Sequence, residues 1–211
     1  MPQKTSRRDE ILLAALQCFS EAGIEATSIE MIRARCGASI GSIYHHHGSK
    51  EGIVAALFMQ AMDDQSARLL QRLQQAPDLR SGVRELVLNY VDWVARHKEW
   101  ARFAYAARAM VAAGPQAAAL QERNRRFYGE VAAWLQAHGA AEGLRPLPPE
   151  LVLPLIVGPA ESYCRAWIAG RAKASPAKYR DELADAAWRA VAPAQMTTPG
   201  RGVPRPPSER A

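Results

Sequence analysis

Between residues 23 and 49, residues that stop helices and residues that start them follow each other so closely that only two very short helices fit. Gly23 ends an amphipathic stretch, Ser28 opens a helix that Gly37 closes, Ser39 opens another that Gly48 closes, and Ser49 opens a third. Helices below about 12 residues are marginal alone in water, because nucleation is costly and few hydrogen bonds follow it. The two short segments must therefore bury their apolar residues against longer neighbours: Ile29, Ile32 and Cys36 with Met31 in the first, Ile40 and Ile43 in the second.

Longer helices are written on both sides. From Arg7 to Ala22, Ile11, Leu12, Ala15, Leu16 and Phe19 recur at helical spacing. Ser49 caps a helix running through Ile53, Leu57 and Met62 toward Leu73, and Pro77 separates it from Asp78–Lys98, built on Val83, Leu86, Val87, Tyr90 and Val94. Trp100–Ala112 is broken off by Gly114 and Pro115, and Gln116–His138 is expected to stop at Gly139. After a loop from Gly143, a helix begins at Pro149 and runs toward Ala174, with Pro154 and Pro159 kinking it or moving its start. Pro176 opens a last helix carrying Tyr179, Leu183, Ala187 and Val191, and Pro193 ends it. The run Leu151–Val157 has the composition of a buried strand, but Pro154 in its middle argues against one. With no other strand pattern and no repeat, the expected class is all-α. Residues 193–211 hold five prolines and two glycines with few apolar groups, and are expected to be a disordered tail.

Totals narrow the function. Cys18, Cys36 and Cys164 are scattered and form no CxxC pair, which suits a reducing, cytoplasmic setting and neither a disulfide framework nor a zinc site. The first residues lack the apolar stretch of a secretory signal, and the longest apolar run, Leu151–Ala160, is far short of the roughly 20 residues of a membrane span. The net charge of +6 invites a nucleic-acid partner, yet residues 1–50 hold six Lys and Arg against five carboxylates. Placement of particular side chains has to carry the case.

Two short helices with Gly37 at the turn are what a helix-turn-helix requires, since the glycine lets the second helix be presented to a major groove. In that second helix the small residues Ser39, Gly41 and Ser42 alternate with Ile40, Ile43 and Tyr44, so one face can approach a groove wall. Residues 7–57 resemble the DNA-binding domain of the TetR family of one-component transcriptional regulators. The resemblance rests on the first helix ending at Gly23, Thr27 opening the second, Gly37 with Ser39 and Gly41, then Ile43, Tyr44, His46, Lys50 and Glu51. It implies that Thr27, Tyr44, His46 and Lys50 hold the phosphate backbone of double-stranded DNA. Ser39, Ile40, Gly41, Ser42 and His45 would face the bases or the groove rim. Arg33 and Cys36 depart from the alanines common in the family, and His47 from an inward phenylalanine.

Duller readings stand beside these. His45, His46 and His47 project about 100° apart on a helix and cannot converge on one metal ion. Tyr44 could cap the core, and Lys50 could be a solvated charge. GxGxxG, the GKS/T loop and HExxH are absent, so no cofactor and no enzymatic role is expected.

The expected division is a DNA-binding unit over 1–57, a helical effector-binding and dimerisation unit over 58–192, and the tail. The resemblance implies a repressor, released from a palindromic operator by a small apolar or amphipathic effector. The alternative is a dimeric DNA-binding protein under a protein partner, or without any effector. Trp93, Trp100, Phe103, Tyr105, Phe127, Tyr128, Trp134, Tyr163 and Trp167 are candidates for lining an effector pocket, with Arg102, Arg108 or Arg165 for an anion. Leu155, Ile156, Trp167, Leu183 and Trp188 are candidates for a homodimer interface. Core packing is the competing role for each of them.

Overall fold

A computed structural model describes residues 6–193. They form α1 (Arg7–Ala22), α2 (Ile29–Cys36), α3 (Ile40–His47), α4 (Lys50–Gln75), α5 (Leu79–Arg96), α6 (Lys98–Ala113), α7 (Ala117–Glu142), α8 (Pro149–Ile168), a 3-10 turn (Pro176–Tyr179) and α9 (Arg180–Val191), with no strand among the described residues. The expected tail lies outside the described residues, apart from Pro193.

The caps expected in the first fifty residues are in place. Ser28 Oγ accepts from the Met31 amide at 3.2 Å, Ser39 Oγ from Ser42 at 3.1 Å and Ser49 Oγ from Gly52 at 3.1 Å. Helices α1, α2 and α3 stop at Gly23, Gly37 and Gly48, whose φ angles of 84°, 64° and 72° are ones that side chains with a Cβ avoid.

Later boundaries differ from expectation in two places. Helix α7 runs through Gly139 to Glu142, and the left-handed turn falls on Gly143 (φ 73°), whose amide bonds the Gly139 carbonyl at 2.8 Å. A helix tolerates an interior glycine at a cost of about 1 kcal/mol, so Gly139 alone does not have to end it. Helix α8 is continuous from Pro149, at its first turn, through Pro154 and Pro159, but ends at Ile168 instead of Ala174.

Two apolar clusters organise the molecule. The first gathers α1, α2, α3 and the first half of α4, and it also takes Phe103, Ala104, Ala107 and Val111 of α6. The second lies among α4, α5, α7, α8 and α9, where Leu79, Val83, Val87, Val91 and Ile156 are fully enclosed. Each such side chain contributes about 1.5–3 kcal/mol by leaving water. Asp92 of α5, itself buried, accepts from Arg180 at 2.8 Å and lies 3.7 Å from Arg72, tying α9 and α4 to α5.

Candidate functional site

Helix α3 turns one face inward and one outward. Ile43 is 1% exposed and pins the helix to the core, whereas Ile40 and Tyr44 are 41% and 48% exposed, unusual for side chains of their size. Gly41, His45 and His46 are exposed beside them, and Ser42 is half-buried. Residues 40, 41, 44 and 45 recur at the spacing of one helical stripe. That stripe is therefore a protruding ridge of small and flat groups, edged by imidazoles and by the capping Ser39.

Thr27 and Lys50 stand elsewhere. Thr27 is 2% exposed and its hydroxyl donates to the Gly23 carbonyl at 2.7 Å. Lys50 Nζ donates to the carbonyls of Ile24, Glu25 and Thr27 at 3.1, 3.2 and 3.1 Å. An ammonium has three protons, so all its donors are committed within the chain. The pair braces the α1–α2 loop against the first turn of α4.

His47 points inward where it packs between α3 and α1. Its Nε2 is buried without a hydrogen-bond partner, and burial holds its pKa below the ordinary imidazole value. The sequence Gly37–Gly41 also has the GxSxG spacing of a hydrolase nucleophile elbow. That elbow is a strand-to-helix turn; here the segment joins two helices and Ser39 caps the second.

A cavity of about 550 Å³ opens between α4, α5, α6, α7 and α8. Of the aromatic candidates, Trp93, Tyr105, Phe127 and Tyr128 line it. Five others are held elsewhere by packing. Trp100 lies against both apolar clusters, and Phe103 stacks on Phe19 of α1 with ring centroids 5.6 Å apart. Trp134 stacks on His138 at 4.0 Å, the Tyr163 hydroxyl donates to the Ala174 carbonyl at 3.1 Å, and Trp167 lies under the Lys98 ammonium at 4.7 Å.

Among the arginine candidates only Arg108 lines the cavity; Arg165 sits over the Tyr105 ring and pairs with Glu161. Residue spacing did not single out Arg123, Asn89 or Tyr90, which line it too. The Tyr90 and Tyr105 hydroxyls are 2.5 Å apart. Burial pushes Tyr105 up to about 12 and raises Tyr90 as well, so both are protonated at neutral pH. One proton bridges the pair and the other remains available to a ligand.

A helix-turn-helix unit with an outward-facing second helix is thus joined by a long helix to an all-helical body that holds an apolar cavity. Residues 11–57 match the family model described as bacterial regulatory proteins, tetR family. The transcriptional repressor KstR2 of Rhodococcus jostii is 33% identical over 84 residues, covering 40% of this chain and 41% of that protein. The match thus spans about two fifths of such curated relatives. The fold extends further. The ketosteroid transcriptional regulator KstR2 of Mycobacterium tuberculosis superposes with a TM-score of 0.69 at 24% identity, over 90% of this chain and 97% of that one. FadR of Bacillus subtilis in complex with stearoyl-CoA does so with a TM-score of 0.69 at 15% identity, over 84% and 96%.

Proposed function

We propose that this chain is a cytoplasmic, DNA-binding transcriptional repressor that leaves its operator when a small amphipathic effector fills the cavity. The observation that carries the DNA half is the exposed α3 ridge: Ile40 and Tyr44 stay in water although the first apolar cluster lies directly behind them. In this reading Ile40, Gly41, Ser42 and His45 meet base edges, while Ser39, Tyr44 and His46 meet the groove rim and phosphates. Thr27 and Lys50 are positioning residues that set the entry angle of α2 and α3. The unit over 1–57 reads DNA and the unit over 58–192 senses the effector, with α6 belonging to the cores of both. Relatives described as repressors, and a structural neighbour holding stearoyl-CoA, support the same assignment.

One helix-turn-helix makes few contacts, so the working form is a two-fold dimer on a palindromic operator, with successive major grooves about 34–36 Å apart. Helices α8 and α9 carry the interface, where Leu155, Trp167, Leu183 and Trp188 are half-buried. Ile156, expected at that interface, is instead 1% exposed within the chain, because it faces α5 in the second apolar cluster. Selection from a random duplex pool is the test. The expected result is one enriched two-fold-symmetric site bound with steep salt dependence, by a species that sediments as a dimer. A pool with no enriched sequence would overturn the reading, and a monomer on DNA would overturn the dimer.

A further inference from the structure

The polar groups around the cavity are not evenly spread. Arg108 on α6 and Arg123 on α7 stand seven residues before Pro115 and eight after it, on two helices joined by a three-residue turn. At equal rise per residue they fall at the same height of the α6–α7 hairpin, and both line the cavity. Arg108 is exposed and makes no hydrogen bond or ion pair among the described residues. Arg123 is the opposite case. Its side chain is 12% exposed, Nε lies 2.8 Å from Asp63 Oδ1, and a second nitrogen donates to Ser66 Oγ at 2.7 Å. Asp63 is itself 70% exposed, so the cation is buried while its partner carboxylate sits in water. Two lining carboxylates bear on this charge: Glu161, already paired with Arg165, and Glu150 on the α8 side, which has no ion pair among the described residues.

A screened carboxylate is an exchangeable partner for a buried guanidinium, because the attraction of exposed charges is weak in high dielectric. An anion arriving from within the cavity would meet the buried Arg123 and the exposed, unpaired Arg108 together.

We propose that the cavity ligand is an amphipathic anion, its apolar body against Phe127, Val131 and Leu153 and its carboxylate or phosphate head between Arg108 and Arg123, and that the head displaces Asp63 of α4 from Arg123. This rests on the cavity being the effector site. Helix α4 starts at Lys50, which holds the α1–α2 loop, so the helix that reaches Arg123 through Asp63 also carries the DNA-reading unit. The free acid of an amphipath and its coenzyme A thioester supply the same chemistry from two sources.

Binding is followed by quenching of tryptophan fluorescence, since Trp93 lines the cavity, and by thermal shift. Probes are dodecanoate, its methyl ester, dodecanoyl-CoA, and lithocholate with its methyl ester. An anion is expected to bind about tenfold more tightly than its ester, the worth of a charge-assisted pair. Arg108→Gln should shrink that difference, read as the ratio of anion to ester affinity in the same variant. Asp63→Asn, which frees Arg123 without touching the cavity, should tighten anion binding several-fold. Glu150→Gln should tighten it or leave it unchanged. Preference for the acid over the thioester, or the reverse, names the source. Esters binding as well as anions, or Asp63→Asn leaving anion affinity unchanged, would overturn the proposal while the cavity stays an effector site. If no probe of either body binds, the effector-site reading falls with it.

Discussion

At the residue scale, the same sequence signal hides two different jobs. The family resemblance assigns lysine at position 50 and threonine at position 27 to the phosphate backbone. Lys50 instead donates to carbonyls 23 to 26 residues away, a pairing no local pattern encodes, while the Thr27 hydroxyl bonds the Gly23 carbonyl four residues before it. Lys50→Ala should therefore lower the thermal stability of the DNA-reading unit, by about 1–3 kcal/mol for carbonyls left unsatisfied, and weaken DNA binding without changing its salt slope. A slope reduced by about one unit would return Lys50 to the phosphate contacts. Tyr44→Ala separates the other way, since an exposed side chain is removed: melting is unchanged and operator affinity falls about fivefold, near 1 kcal/mol.

His47 makes a third case at this scale. Its folded pKa lies below the ordinary value of about 6.5, so below that pH the unfolded chain takes up a proton the folded one refuses. Stability is full above about pH 6.5 and declines as the pH drops toward the folded pKa. His47→Phe removes both the titration and the unpartnered Nε2. The melting difference between variant and wild type should widen steadily on acidification through that window. A constant difference would mean that His47 is not the titrating group.

At the element scale, helices and caps were legible wherever local chemistry decides them. Ser28, Ser39 and Ser49 cap as their types and positions require, and Gly23, Gly37 and Gly48 stop helices by the backbone angles they alone take readily. Legibility failed at Gly139, where the small helical cost of a glycine does not end the helix. It failed again for the cavity walls, because an aromatic on an amphipathic helix fits a pocket and a core equally well. Gly52 shows what spacing leaves unsaid: a Cβ there would lie 1.9 Å from the His47 carbonyl oxygen. That oxygen is main chain at the end of α3 and cannot rotate away, so only glycine lets α4 pass this close to α3. Gly52→Ala should cost about 1–3 kcal/mol by overpacking and tilt α3. Operator affinity should then fall by more than the stability loss alone explains, read on protein that circular dichroism shows to be folded.

At the scale of the whole molecule, the first apolar cluster matters because it does not respect the boundary between the two units. Phe103, Ala107 and Val111 of α6 pack into the core built by α1, and Phe103 lies nearly parallel to Phe19, the ring planes 9° apart. From the same helix, Ala101, Ala104, Tyr105 and Arg108 line the cavity. One rigid element thus lines the cavity with one face and packs against the N-terminal unit with the other, a second link beside α4. A ligand shifts an equilibrium only by its difference in affinity between two states, so removing a link should reduce coupling more than binding. Phe103→Leu keeps most of the apolar volume and removes the stack. It should cost about 1 kcal/mol of stability, leave ligand affinity for the DNA-free protein near wild type, and shrink the ligand-induced loss of operator affinity. The measurement is operator binding with and without saturating ligand. An undiminished ratio would leave α4 as the sole path between cavity and groove.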